Sequence, residues 1–84
     1  MQATLVIWNP ANLRMLLALG YSETEITDIL MDHRNPVSLD AESTEGPAGI
    51  TFGVLADGRS IRIFWVAECG NPLCIYPHTI HEIT

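Results

Sequence analysis

The residues best suited to chemistry lie in the second half of the chain, where Arg62 and His81 stand on two predicted strands. Asp57-Gly58 is typical of a two-residue hairpin turn. A second turn centred on Asn71-Pro72 would place Arg62 opposite His81, with Gly53 on the other flank of Arg62. A histidine exchanges protons near neutral pH, and an arginine holds an oxyanion or a phosphate. Such parts could build a site that cleaves phosphodiesters without a metal.

A plainer interpretation of Arg62 stays open beside the catalytic one. It is a solvated strand residue that pairs with Glu68 or Glu82, and surface ion pairs of this kind contribute little. The sequence contains no phosphate-binding glycine loop, no nucleophile elbow and no H-E-x-x-H helix. Most standard enzyme classes therefore have no support.

A zinc site is the alternative suggested by the spacing C-x4-C-x3-H-x2-H, formed by Cys69, Cys74, His78 and His81. Zinc requires four ligands that converge tetrahedrally. On a regular strand, residues three apart point to opposite faces, so His78 and His81 should not share a metal. The register instead puts His78 opposite Trp65 on the core side. We predict no metal and no cofactor.

Two capped helices are predicted before these strands. Asn9-Pro10 suits the start of a first helix, and Gly20 suits its left-handed end. Ser22 and Glu25 form a capping box for a second helix, which closes at Asn35-Pro36. With a short strand before them, the pattern predicts one α+β domain over residues 1–84, with two short N-terminal helices packed on a mostly antiparallel three- to four-stranded sheet.

The first hairpin register assigns a face to each strand residue. The residues that this register places on the face packed against the helices are Ile50, Phe52, Val54, Ile61, Ile63 and Trp65. The opposite face carries Thr51, Gly53, Leu55, Ser60, Arg62, Phe64 and Val66. The apolar members of that face predict a partner interface at Leu55, Phe64 and Val66. The polar stretch from Ser38 to Gly49 is predicted as a long surface loop.

Composition limits the partners of the protein. Ten acidic side chains against four arginines and no lysine give a net charge of −6. Such a chain attracts nucleic acid weakly overall, although one local arginine cluster can still bind RNA. Charged residues form 17% of the chain, against about 25% in typical domains. Because charged residues are too few to cover the surface, we expect exposed apolar area. Such area usually binds a partner, and a homodimer is the commonest case.

The location expected from the sequence is the cytoplasm. No stretch reaches the roughly 20 apolar residues that span a bilayer. The N-terminus lacks the basic start and long apolar run of a signal peptide. We therefore expect no membrane contact, and we expect the two cysteines to be reduced.

Several short motifs occur in a fixed order along most of the chain: Trp8-Asn9-Pro10 with Asn12-Leu13, Gly20-Tyr21-Ser22 before Glu25-Ile26, Gly53 to Arg59 with its Asp57-Gly58-Arg59 turn, and Ile75-Tyr76-Pro77-His78-Thr79. Their order resembles the BrnT-type toxins of bacterial toxin–antitoxin pairs. The resemblance implies a small sheet flanked by helices, similar to RelE-type ribonucleases. It also implies an RNA-cleaving toxin that a DNA-binding antitoxin neutralises.

The chain departs from that family at three points. Leu19-Gly20 stands where the family carries His-Gly, Thr79-Ile80 stands where it carries a basic pair, and the chain is acidic where such toxins are basic. The activity implied is therefore a weak or vestigial ribonuclease.

Two hypotheses follow. In the first, a toxin-like protein uses Arg62 to hold phosphate and His81 as acid or base. Arg59 and Arg14 act as auxiliary cations that bind the RNA substrate. In the second, the protein is a non-catalytic interaction module. It dimerises or binds a partner through the Leu55, Phe64 and Val66 face.

Overall fold

Two helices pack on one face of a five-stranded sheet in the computed structural model, which describes residues 5–40, 48–67 and 74–83. The elements in chain order are β1 (Leu5–Val6), α1 (Pro10–Leu19), α2 (Glu23–Met31), β2 (Val37–Asp40), β3 (Ala48–Val54), β4 (Ser60–Ala67) and β5 (Cys74–Ile83). The sheet order is β1-β5-β4-β3-β2, with β1 parallel to β5 and every other neighbouring pair antiparallel. The predicted α+β class is confirmed, with five strands rather than three or four.

The caps of α1 form as predicted, and they also tie the helix to the sheet. Asn9 Oδ1 accepts hydrogen bonds from the backbone N–H groups of Ala11 and Asn12, and Asn12 Oδ1 accepts one from the Asn9 N–H. Asn12 Nδ2 donates to the carbonyl oxygens of Ile7 and Pro77 at 2.9 and 3.0 Å. The buried Asn12 amide therefore joins the end of β1 to β5.

The N-terminal cap of α2 forms only in part. Ser22 Oγ accepts from the Glu25 N–H at 3.3 Å, but the Glu25 carboxylate accepts from the Ala56 N–H at 2.8 Å instead of turning back to the cap. The helix stops at Met31, before the predicted Asn35-Pro36, and Asn35 Nδ2 donates to the Ile29 carbonyl oxygen. Glu25 thus connects α2 to the turn between β3 and β4.

That turn contains three residues, not the predicted two. Leu55 N–H donates to the Arg59 carbonyl at 2.8 Å, Gly58 N–H donates to the Leu55 carbonyl at 2.9 Å, and Gly58 has φ +95°. This is a type I turn followed by a left-handed glycine, which Asp57-Gly58 suits as well as the two-residue turn. Phe52 therefore pairs with Arg62, and the predicted β3–β4 register is wrong by one residue.

A one-residue shift moves every β3 side chain to the other face of the sheet. The residues now on the helix side are Gly49, Thr51, Gly53 and Leu55 of β3, together with Ile61, Ile63 and Trp65 of β4. Leu55 is 3% exposed, so its predicted place in an outer interface is wrong. Gly53 contacts α2 rather than flanking Arg62, since a Cβ there would overlap Ile29 Cγ2.

The predicted loop from Ser38 to Gly49 begins and ends in strands. Val37 to Asp40 pair with Thr51 to Ala48, although β2 is only four residues long and two of them are polar. Tertiary pairing overrides weak strand propensity at this sheet edge. The middle of the predicted loop lies outside the described residues.

The last hairpin has the predicted register over its first half. Arg62 pairs with His81, as expected, but the register shifts between Phe64 and Trp65, so that Trp65 pairs with Pro77 instead of His78. His78 is the extra residue of a β-bulge in β5. The predicted pairing of Cys69 with Cys74 lies outside the described residues.

Candidate functional site on the outer face

The side of the sheet turned away from the helices is called the outer face. Its members on the three middle strands include Ile50, Phe52, Val54, Ser60, Arg62, Phe64, Val66, Tyr76, Thr79, His81 and Ile83. Both helices pack on the other side, and among the described residues no helix or strand packs against this one. The outer face is therefore where these side chains can meet a ligand.

Arg62 and His81 meet there through Phe64. The two residues are direct cross-strand partners on β4 and β5. The rings of Phe64 and His81 lie edge to face, with centroids 5.0 Å apart, and the Arg62 guanidinium carbon lies 5.9 Å from the Phe64 centroid. The aromatic ring thus contacts both groups and fixes their relative position.

One donor of Arg62 lacks an acceptor. Its Nε is fully buried and has no hydrogen-bond partner among the described residues. The expected ion pair with Glu82 is not formed, because Glu82 lies nearer Arg59, with 3.9 Å between its Oε2 and Arg59 Nη1. Glu68 lies outside the described residues. A buried N–H without a partner lowers the free energy of unfolding by about 1–3 kcal/mol. No described carboxylate pairs with Arg62, so its side chain is positioned by packing against Phe64.

His78 lies on the outer side instead of the predicted core side. It is exposed, and its Nδ1 is 3.1 Å from the Oγ1 of Thr79. Thr79 pairs with Phe64 on the outer face, so this contact turns His78 the same way. The bulge therefore overturns the expectation that His78 and His81 point to opposite faces. The sequence signal was Pro77, because a proline inside a central strand marks a bulge.

Six of the ten acidic side chains have described positions. The acidic side chains with described positions lie on α2, in the β3–β4 turn or beside Arg59: Glu23, Glu25, Asp28, Asp32, Asp57 and Glu82. None of these six is on the outer face, whereas Asp40 at the end of β2 pairs with Ala48, the neighbour of Val66. The six described carboxylates therefore do not lie beside Arg62.

The two auxiliary cations do not join Arg62. Arg59 Nε contacts Asp57 Oδ2 at 2.8 Å, and its guanidinium carbon lies 5.8 Å from the ring centroid of Tyr21, on the helix side. The side-chain hydrogen bond to Asp57 raises the pKa of Arg59, and the hydrogen bond from the Arg59 backbone N–H to Oδ1, together with the side-chain contact, lowers the pKa of Asp57. Arg14 is exposed on α1, across the sheet from Arg62. The structure thus brings together Arg62 and His81 but separates them from Arg59 and Arg14.

A groove on the helix side carries acidic side chains that are mostly bonded within the fold. It is a groove of about 600 Å³ beside α2, lined partly by Glu25, Asp28 and Asp32. Glu25 is bonded to the Ala56 N–H, and Asp32 to Arg34 at 2.9 Å. The Arg34 side-chain hydrogen bond lowers the pKa of Asp32 to about 2. Two of its three carboxylates are therefore already bonded within the fold.

The described residues contain no group of three or more His, Cys, Asp or Glu side chains placed to hold a metal ion. No described helix is long and apolar enough to cross a membrane. Comparison with protein-family models, with curated proteins and with solved structures gives no match. The outer face must therefore be interpreted from its own chemistry.

Proposed function

We propose that the protein is a toxin-like member of a prokaryotic toxin–antitoxin pair, acts in the cytoplasm, and cleaves RNA weakly and without a metal at Arg62 and His81. The observation that carries the proposal is the direct cross-strand pairing of Arg62, whose side chain forms no ion pair with a described carboxylate, with His81 on the outer face. The small sheet with helices on one side agrees with the fold that the BrnT resemblance implies. The six carboxylates whose side chains are described lie away from this face, so none of those six stands beside a phosphate bound there.

The roles of the two residues follow from the charge that develops during cleavage. His81 removes the proton of the ribose 2′-hydroxyl, and the 2′-oxygen attacks the adjacent phosphorus. Arg62 donates hydrogen bonds to the phosphoryl oxygens, whose negative charge grows in the transition state. The bond from phosphorus to the 5′-oxygen breaks and leaves a 2′,3′-cyclic phosphate. Phe64 holds both groups and offers an apolar surface beside the reacting atoms.

The test compares variants at the site with matched variants elsewhere. Purified, chelator-treated protein is incubated with end-labelled RNA, and the rates of Arg62→Ala and His81→Ala are measured. Removing a general base or an electrostatic group costs about a hundredfold or more. Arg34→Ala and His33→Ala change the same residue types at exposed positions outside the site and should keep the wild-type rate. Equal rates in all five proteins would contradict the proposal.

A second candidate function is a non-catalytic interaction module, favoured by the apolar part of the outer face. Phe64 and Val66 on β4 adjoin Ile50 and Phe52 on β3, and all four are only half-buried. Such a surface fits a second copy of the chain or an antitoxin segment. Phe64 and Val66 remain in this interface, and Leu55 does not.

Light scattering tests that candidate directly. A homodimer that dissociates in Val66→Arg, but not in Leu17→Arg on the exposed side of α1, would support it. A wild-type protein that stays monomeric at high concentration would exclude self-association through this face.

A further inference from the structure

We infer that His78 is a second catalytic residue, the general acid that protonates the leaving 5′-oxygen during RNA cleavage. This inference rests on the proposed function, because it assigns a second proton-transfer group to the same site. It concerns a residue that the sequence pattern had placed in the core. The β-bulge in β5 is the feature that makes it available.

The geometry places two histidines on one side of β5. Residues three apart on a regular strand point to opposite faces. The register shift between Phe64 and Trp65 inserts His78 as an extra residue, and this restores a common side for His78 and His81. Both are exposed. At about 3.3 Å of rise per residue, their Cα atoms lie within roughly 10 Å of each other, so that two imidazoles can flank one phosphodiester.

Thr79 gives His78 a defined orientation. The 3.1 Å separation between His78 Nδ1 and Thr79 Oγ1 is a hydrogen-bond distance. In the protonated ring, Nδ1–H donates to the threonine oxygen, and Nε2–H remains available to donate to a ligand. A histidine held by one nitrogen and free at the other is the arrangement that proton transfer requires.

The proton balance of the reaction calls for such a group. When the 2′-oxygen bonds to phosphorus, its proton passes to His81. When the bond from phosphorus to the 5′-oxygen breaks, that oxygen keeps the electron pair and takes the Nε2 proton of His78. The products are a 2′,3′-cyclic phosphate and a 5′-hydroxyl. Solvent water then returns a proton to His78 and accepts one from His81.

Two substrates separate this role from that of His81. RNA has a poor alkoxide leaving group that needs an acid, whereas uridine 3′-(4-nitrophenyl phosphate) releases a stable phenolate that does not. His78→Asn should slow RNA cleavage about a hundredfold and leave cleavage of the aryl ester nearly unchanged. His81→Asn should slow both reactions.

The outcomes distinguish this inference from the proposed function. If the wild type cleaves RNA and His78→Asn cleaves it equally fast, the role of His78 is wrong and the proposed function stands. If His78→Asn lowers the cleavage rates of RNA and of the aryl ester by the same factor, His78 is not the general acid. A wild type inactive on both substrates overturns the proposed function and this inference together. Circular dichroism of His78→Asn checks that the fold is intact, and Thr79→Val should give a smaller loss on RNA alone.

Discussion

Arg62 on β4 lies directly opposite His81 on β5, and the ring of Phe64 contacts both side chains. The pair stands on two neighbouring strands of one sheet rather than on a loop, so its geometry is set by the β4–β5 hydrogen bonds. The six carboxylates whose side chains are described lie away from this pair. These two properties together make a strand pair a candidate site in a chain with a net charge of −6.

Phe64 should matter to activity because it positions the two polar groups. We predict that Phe64→Ala lowers the rate of RNA cleavage about tenfold, since the Arg62 guanidinium and the His81 ring lose the surface that orients them. The measurement is the cleavage rate at saturating RNA. Phe52→Ala, which removes an aromatic ring from the outer face of the adjacent strand, is the matched control and should have a smaller effect. Equal losses would indicate a general apolar contact with RNA instead of positioning.

Asn12 should be among the most sensitive positions for stability. It is 2% exposed, and its amide bonds the Asn9 N–H and the carbonyl oxygens of Ile7 and Pro77. Asn12→Ala should lower the free energy of unfolding by about 2–3 kcal/mol, because buried carbonyl groups lose their donor. Asn12→Asp should also destabilise, since it places a carboxylate beside two carbonyl oxygens. Urea denaturation measures both variants, and Arg14→Ala on the same helix should stay near wild type.

Gly53 should tolerate no side chain while Ile29 is present. A Cβ at this position overlaps Ile29 Cγ2, so Gly53→Ala should destabilise by about 1–3 kcal/mol through overpacking. Ile29→Leu removes the Cγ2 methyl and should recover part of that loss in the double variant. A double-mutant cycle in urea measures the coupling. Strict additivity of the two changes would contradict the close approach of α2 to β3.

The contact between Asp32 and Arg34 should give a defined pH dependence. The Arg34 side-chain hydrogen bond lowers the pKa of Asp32 to about 2 in the folded protein, against about 3.9 for an unperturbed aspartate. A carboxyl with a lowered pKa stabilises the fold above its unfolded pKa, and this stabilisation is lost as pH falls toward 2. Comparison of Asp32→Asn with wild type from pH 7 to pH 2 measures it. The stability difference between them should shrink below about pH 4; a constant difference would exclude the contact.

The local features of the fold could be predicted, because they depend on residues within one turn of each other. Asn9-Pro10 starts α1 and Gly20 ends it with φ +81°, as their side-chain chemistry indicates. The pairing of Arg62 with His81 was also correct. The helix end at Met31 was not predicted, because Asn35 bonds the Ile29 carbonyl from beyond the helix.

The predictions that were wrong each depended on a strand register that differs by one residue in the structure. Asp57-Gly58 suits a two-residue and a three-residue turn, and only the burial of Leu55 against the helices selects the second. With the three-residue turn, Phe52 rather than Gly53 pairs with Arg62. In the same way, one extra residue after Pro77 moved His78 from the core to the outer side. Registers of this kind are fixed by tertiary packing, which a turn motif alone does not specify.

The most direct test of the central claim is RNA cleavage by chelator-treated protein beside Arg62→Ala, His81→Ala and the control His33→Ala. We predict cleavage by the wild type and the control, and a loss of about a hundredfold or more in the two site variants. Cleavage that is equal in all four proteins, or absent from the wild type, would contradict a ribonuclease site on the outer face. Absence from the wild type would leave the interaction module as the function to pursue.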